Sequence, residues 1–316
     1  MVKLGYFLSC EEFDAPELVR QARLAEEAGF EALWISDHFH PWLAEQGNSP
    51  FVWSVIGALS QVTDLPITTA VTCPTTRVHP AIIAQAAATS AVLTGGRFTL
   101  GVGTGEALNE HVLGDPWPSA DIRLDMLEEA LEVIRALWTG EVVEHHGTFY
   151  DVEHARLYSL PETPPDIYVS GFGPKAATLA GRIGDGFVCT KPDPDLIRAF
   201  RDGGGTGKPT QVGTKVCWGP DEDEARRTAH HYWRNEGLPG ELAQILPTPE
   251  HFQQASTLVE PEAMVTPVGP DAKTHVEALR KFVDAGYDEL YVQQIGPDQD
   301  GFFSFFSTSV LPELRG

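Results

Sequence analysis

The chain is short of basic residues. It has 316 residues, with 22 Lys and Arg against 45 Asp and Glu, for a formal net charge of −23 at pH 7. A surface this acidic excludes nucleic acid and anionic membranes as general partners, since both would be repelled. Any anionic ligand must then be met by local backbone N–H groups or by a few placed cations. Cysteine is scarce as well: Cys10, Cys73, Cys189 and Cys217, with no C-x-x-C pair. Four scattered thiols make no disulfide framework for a chain this long, so a cytoplasmic protein is expected. No stretch approaches the roughly 20 apolar residues of a membrane span. The start, MVKLGYFLSCEEFD, meets acidic residues too early for a secretory signal. Short repeats and low-complexity segments are absent too.

What is present is a strand followed by a helix, over and over. VKLGYFL reads as a strand; Pro16 then opens a helix with Leu18, Ala22, Ala25 and Ala28 on one face, closed by Gly29. ALWIS, ITTAVT and RFTLGVGTG are the next strands, each followed by a helical pattern that ends, after the fourth strand, in DIRLDMLEEALEVIRALW. An interruption, TGEVVEHHGTFYDVEHARLYSLPETPP, reads as a hairpin excursion. DIYVSGFG, GFVCT, TQVGTKVCW and DELYVQQI continue the alternation, with a long irregular insertion from Gly237 to Pro270 after the seventh strand. Eight strands alternating with helices, and no second composition regime, predict one domain over residues 1–316. Its fold is an α/β (β/α)8 TIM barrel with insertions after strands four and seven. A doubly wound sheet is the competing architecture.

The barrel reading gathers chemistry, because catalytic residues of such folds lie at the C-terminal ends of the strands. Asp37-His38 ends strand two, Thr72-Cys73-Pro74 strand three and Gly103-Thr104-Gly105-Glu106 strand four. Gly171-Phe172-Gly173 ends strand five, and Cys189-Thr190-Lys191 strand six. His38-Phe39-His40 has a metal-ligand spacing, but a catalytic zinc needs at least three protein ligands and strands five and six offer no histidine. No metal is expected. GVGTGEALNE lacks the G-x-G-x-x-G dinucleotide spacing. Its glycines alone describe a tight turn, whereas Glu106 beside them is placed as a general acid. A lone histidine or tryptophan at a strand end is usually structural. The combination of Asp37, His38, Trp42 and Glu106 on one rim argues for function.

These residues carry a resemblance. SDHFHPW, GVGTGEALNE and AGRIGDGFVCT are similar to signatures of the luciferase-like (β/α)8 oxidoreductases that use the deazaflavin coenzyme F420, within them to the glucose-6-phosphate dehydrogenase group. The resemblance runs along nearly the whole chain and weakens between Gly203 and Pro270. It implies a small-molecule substrate, a homodimer, and hydride transfer between a hydroxyl-bearing carbon and C5 of the deazaflavin, with FMN the alternative coenzyme. It also implies that His38 takes the hydroxyl proton, that Trp42 shapes the substrate pocket, and that Glu106 protonates the reduced coenzyme with Glu11 nearby. Asp37, Val71, Cys73, Thr104, Gly105, Asn109 and Gly173 match coenzyme contacts, Val71 at a backbone bulge that often holds a non-proline cis peptide. Phe172 stands where the family has a second glycine. Thr190 and Lys191 match substrate contacts.

One block departs from the resemblance. The sugar-phosphate enzymes hold phosphate with two lysines and an arginine, and the matching positions here are Asp193, Ala243 and Ala263. An aspartate repels phosphate, and little replaces the arginine fork, with Lys191 and Lys175 as partial compensation at most. The expected substrate is therefore an unphosphorylated alcohol or sugar. A glucose-6-phosphate dehydrogenase proper, an FMN monooxygenase, a metal-dependent hydrolase and a non-catalytic cofactor-binding protein are the rival readings.

Overall fold

Parallel strands covered on both faces are continuous apolar runs rather than alternating ones, and the computed structural model, which describes residues 2–315, builds its barrel from such runs. Ten strands are found among the described residues: β1 (Lys3–Leu8), β2 (Leu33–Ile35), β3 (Ile67–Thr69), β4 (Phe98–Val102), β5 (Val143–His146), β6 (Asp151–Ala155), β7 (Ile167–Ser170), β8 (Gly186–Cys189), β9 (Thr210–Val216) and β10 (Glu289–Gln294). Eight close into an all-parallel barrel in the order β1-β10-β9-β8-β7-β4-β3-β2, and β5-β6 is the hairpin after strand four. Barrel strands five to eight are thus β7 to β10. The predicted TIM barrel is the observed fold.

Helices return the chain between strands: α1 (Ala15–Ala28), α2 (Val52–Leu59) and α3 (Pro80–Leu93), then the short α4 (Ala107–Glu110) and the long α5 (Ala120–Leu137), then α6 (Pro174–Ile183), α7 (Pro194–Phe200) and α8 (Glu222–Trp233). Asp14 caps α1 by accepting from the Glu17 N–H, and Gly29 ends it in the left-handed region at φ 92°. Inside the barrel, Phe7, Trp34, Tyr168, Val188 and Tyr291 fill the bore. Trp34 stacks on Tyr291 at 4.5 Å and donates Nε1–H to Gln211 Oε1 at 2.8 Å.

The insertion after β9 is not irregular throughout. It holds α9 (Leu242–Ile245), α10 (Pro249–Ala255) and two 3-10 turns before α11 (Ala272–Asp284), and α12 (Gln299–Phe305) and α13 (Leu311–Arg315) close the chain after β10. Short helices escape a periodicity scan because they span barely two turns. The insertion lies over the catalytic end of the barrel. Phe252 of α10 is fully buried against Leu43 and Leu108, with Trp42, Leu238, Ala243 and Leu246 around it.

Candidate active site

Six strand ends bring the predicted residues to one rim. At the end of β1, Ser9 and Ser36 donate to Glu11 Oε2 at 2.8 and 2.7 Å, and Glu11 Oε1 faces His38 Nε2 at 3.4 Å. Burial alone would raise the Glu11 carboxyl. The charge on His38 and the two hydroxyl bonds outweigh it and hold the group below its ordinary value.

His38 is fixed from the other side. Its Nδ1 lies 3.0 Å from Asn109 Nδ2 and 3.2 Å from the His40 carbonyl. Asn109 Oδ1 accepts the backbone N–H groups of Phe39 and His40 at 2.9 and 3.1 Å, which settles which end of the amide points at the imidazole. The Trp42 ring tilts against His38 with centroids 5.0 Å apart, and Phe252 meets Trp42 edge-on at 5.1 Å. The insertion thus reaches the histidine through one tryptophan. His40 turns away, with Nδ1 3.0 Å from the Leu108 carbonyl. No group of three or more His, Cys, Asp or Glu among the described residues is placed to hold a metal ion.

Asp37 is buried and doubly held: Oδ2 accepts from Thr72 Oγ1 and Oδ1 from Arg77 Nη2, both at 2.9 Å. The peptide bond between Ala70 and Val71 is cis, at the position where the resemblance places one. Cys73 is buried with Sγ 2.9 Å from Thr75 Oγ1, and burial pushes its thiol well up. Gly105, at φ 75°, is a glycine for two reasons. The backbone is left-handed there, and a Cβ would come within 2.7 Å of Cys73 Sγ and 2.8 Å of Glu110 Cγ. Thr104 and Glu106 flank it, half-buried; Glu106 begins α4, and its side chain makes no capping bond there.

The far side of the rim is more open. Gly173 precedes α6 without a side-chain cap, and nothing lies within 4 Å of where its Cβ would be. Phe172 is turned outward with Lys191 Nζ 6.0 Å above its ring, and Thr190 and Lys191 are exposed. Asp193 caps α7 by accepting from the Asp195 N–H at 2.9 Å. Ala243 joins the apolar cluster around Phe252, and Ala263 is exposed. None of the three brings a cation.

Three charged residues of the site were missed in the sequence. Arg77 and Glu110 lie behind Asp37. Glu12 is buried next to Glu11 and accepts from Trp233 Nε1, from Gln293 Nε2 at 3.0 Å and from the Gly296 N–H at 2.9 Å. The available signal was an arginine in TCPTTRVHP, a stretch otherwise without charge in a chain poor in bases. Burial, only partly offset by these donors, pushes the Glu12 carboxyl up to about 7. A carboxyl raised in the folded state binds more protons folded than unfolded, so its contribution to stability falls as pH rises from about 4.5 to about 7. Glu12→Gln is therefore expected to flatten the fall in melting temperature over that window, as thermal unfolding of both proteins at several pH values would show.

The chain as a whole is similar to known proteins. A family model described as "Luciferase-like monooxygenase" matches residues 2–289. The chain is 38% identical to an F420-dependent glucose-6-phosphate dehydrogenase of Microbacterium testaceum, over 99% of this chain and 98% of that one. It is also 38% identical to an F420-dependent hydroxymycolic acid dehydrogenase of Mycobacterium tuberculosis, over 99% and 88%. The structure of an F420-dependent secondary alcohol dehydrogenase in complex with an F420-acetone adduct superposes with a TM-score of 0.91 at 30% identity, over 100% of this chain and 99% of that one.

Proposed function

The chain belongs to the luciferase-like monooxygenase family, and on that premise we propose that it is a coenzyme F420-dependent dehydrogenase acting on the CH–OH group of an unphosphorylated alcohol. The rim suits the coenzyme. Glu106 has no hydrogen-bond partner for its carboxylate among the described residues, His38 Nε2 is only loosely engaged, and the uncapped start of α6 at Gly173 leaves backbone N–H groups for an anion. When bound, the coenzyme supplies the hydride acceptor; Asp37, Val71, Cys73, Thr104, Gly105, Asn109 and Gly173 are the residues assigned to hold it.

The observation that carries the reading is the setting of His38. As proton acceptor it uses the Nε2 lone pair, which requires the tautomer with Nδ1–H donated to the His40 carbonyl. The Asn109 amide nitrogen, 3.0 Å from the same Nδ1, then packs against the ring without a hydrogen bond to it. The imidazolium formed from the substrate's hydroxyl proton then lies 3.4 Å from the Glu11 carboxylate, which stabilises it. In carbonyl reduction the same proton returns from Nε2. Glu106 carries the second proton, for the coenzyme. Trp42 bounds the substrate space, with Thr190 and Lys191 at its outer edge.

The substrate class follows from what surrounds Trp42. Phe252 and Leu108 are fully buried behind Trp42 with Ala243 and Leu246, an apolar backing without a charge, and Asp193, Ala243 and Ala263 offer phosphate no cation. Action as a cytoplasmic homodimer belongs to the same proposal and rests on the family resemblance; among the described residues, no helix is long and apolar enough to cross a membrane.

The test is a titration with F420, followed by loss of deazaflavin absorbance on adding secondary alcohols, sugars and glucose 6-phosphate. Bleaching by neutral alcohols is expected. Glucose 6-phosphate should be poorer by at least about 100-fold in kcat/KM, the loss of two charge-assisted bonds. Comparable turnover of the phosphorylated sugar would overturn the substrate class, and binding of FMN instead of F420 the coenzyme.

A further inference from the structure

Two neighbouring residues of β2's end are braced from α4, His38 and its following chain by Asn109 and Asp37 through Arg77 by Glu110. Asn109 packs against His38 and holds the chain after it. Glu110 holds Arg77: its Oε2 accepts the Arg77 backbone N–H at 2.9 Å, and its Oε1 lies 3.5 Å from Arg77 Nε. Arg77 in turn donates Nη2–H to Asp37. The three side chains are 7%, 3% and 1% exposed for Arg77, Asp37 and Glu110.

We propose that Arg77 and Glu110 are positioning residues of the coenzyme site, fixing the direction and charge of the Asp37 carboxylate through a buried Glu110–Arg77–Asp37 chain. The proposal rests on the coenzyme reading above and goes beyond it by assigning two residues that touch neither coenzyme nor substrate.

The physical case begins with what such a cluster does for stability, which is little. Two buried carboxylates around one guanidinium leave an excess negative charge, and a buried ion cluster is commonly no more stable than apolar residues of the same volume. Placing this one beneath the rim, where β2, β3 and β4 end, makes sense as orientation. Each partner comes from a different βα unit: Asp37 after β2, Arg77 after β3, Glu110 on α4 after β4. A shift in any one of them moves the Asp37 carboxylate.

The charge argument points the same way. Glu106 and Asp37 both lie within electrostatic reach of Glu110, whose carboxyl burial pushes up to about 7 even against Arg77. Cys73 and Tyr150 also face this cluster, and burial raises both of those groups. Without the guanidinium, Asp37, Glu106 and Glu110 would crowd one buried space as three acids, and the cheapest relief is proton uptake. Asp37 would then lose both its fixed charge and its fixed direction.

The test compares Arg77→Met, Arg77→Lys and Glu110→Gln with the parent by F420 affinity from fluorescence titration, by the pH dependence of kcat/KM, and by melting temperature. Arg77→Met is expected to weaken F420 binding at least tenfold, to displace the pH profile and to lower the melting temperature, since removing one partner of a buried ion cluster leaves its carboxylates uncompensated. Arg77→Lys, which keeps the charge but not the fork, should recover part of the affinity. Unchanged affinity and an unchanged pH profile in Arg77→Met, whatever its melting temperature, would overturn the proposal. If that variant fails to fold, near-isosteric Glu110→Gln decides: a displaced pH profile supports the positioning role and a parental one overturns it. A parent that binds no F420 would sink the coenzyme reading itself, a result distinct from a parent that binds and variants that bind equally well.

Discussion

Replacing His38 by alanine is expected to slow alcohol oxidation by about 10²–10⁴-fold, the usual worth of a general base, while F420 still binds. The site explains the size of the loss. In the proposed reaction the histidine would carry the proton at Nε2, with its Nδ1–H donated to the His40 carbonyl and the Asn109 amide packed against the ring. Glu11 lies 3.4 Å away as the countercharge. Removing the imidazole takes away the acceptor and also strands Glu11, whose carboxyl His38 helps hold below its ordinary value. The rate of F420 reduction in a single turnover separates chemistry from binding, and His38→Gln controls for the lost volume. Parental rates in the alanine variant would move the acceptor role elsewhere, with Glu11 the first candidate.

The second large effect is expected at a residue that touches no reacting atom. Phe252→Ala removes a fully buried ring that anchors the insertion to Trp42, Leu43 and Leu108. A Phe→Ala change in such a setting costs about 3–5 kcal/mol. Because the ring holds the insertion rather than the barrel, the cost should appear first as local opening between residues 237 and 270. Limited proteolysis should then cut there faster, and KM for apolar alcohols should rise several-fold as Trp42 loses its support. F420 affinity should stay near the parental value. An unchanged cleavage pattern with unchanged KM would mean that the insertion is held by its other contacts, chiefly Trp233 and its neighbours at the end of α8.

Much of this site could be read from the chain because its main members lie next to strands. The eight apolar runs gave the barrel, and the barrel rule put Asp37, His38 and Glu106 on one rim without any contact being known. What could not be read were pairings across long stretches. Arg77 meets Asp37 across 40 residues and Glu110 across 33, and Glu12 meets Trp233 across 221. Such partners are chosen by tertiary packing and leave no periodic trace. Glu110 sits in ALNE beside Asn109, which the family resemblance singled out, and by itself passes for an ordinary helix residue. Phe252 lies in a segment whose helices are too short to show a pattern, so its place above Trp42 could not be anticipated.

The insertion that carries Phe252 also says how this protein could change its trade. The residues proposed to handle protons sit at the strand ends and just before α4. The apolar backing of Trp42 comes largely from a single excursion between β9 and β10. Selection could rewrite that excursion, exchanging an apolar backing for cations or a longer groove, without retuning the histidine or its carboxylates. A lineage built this way diversifies by swapping one segment, and so does a laboratory library confined to residues 237–270.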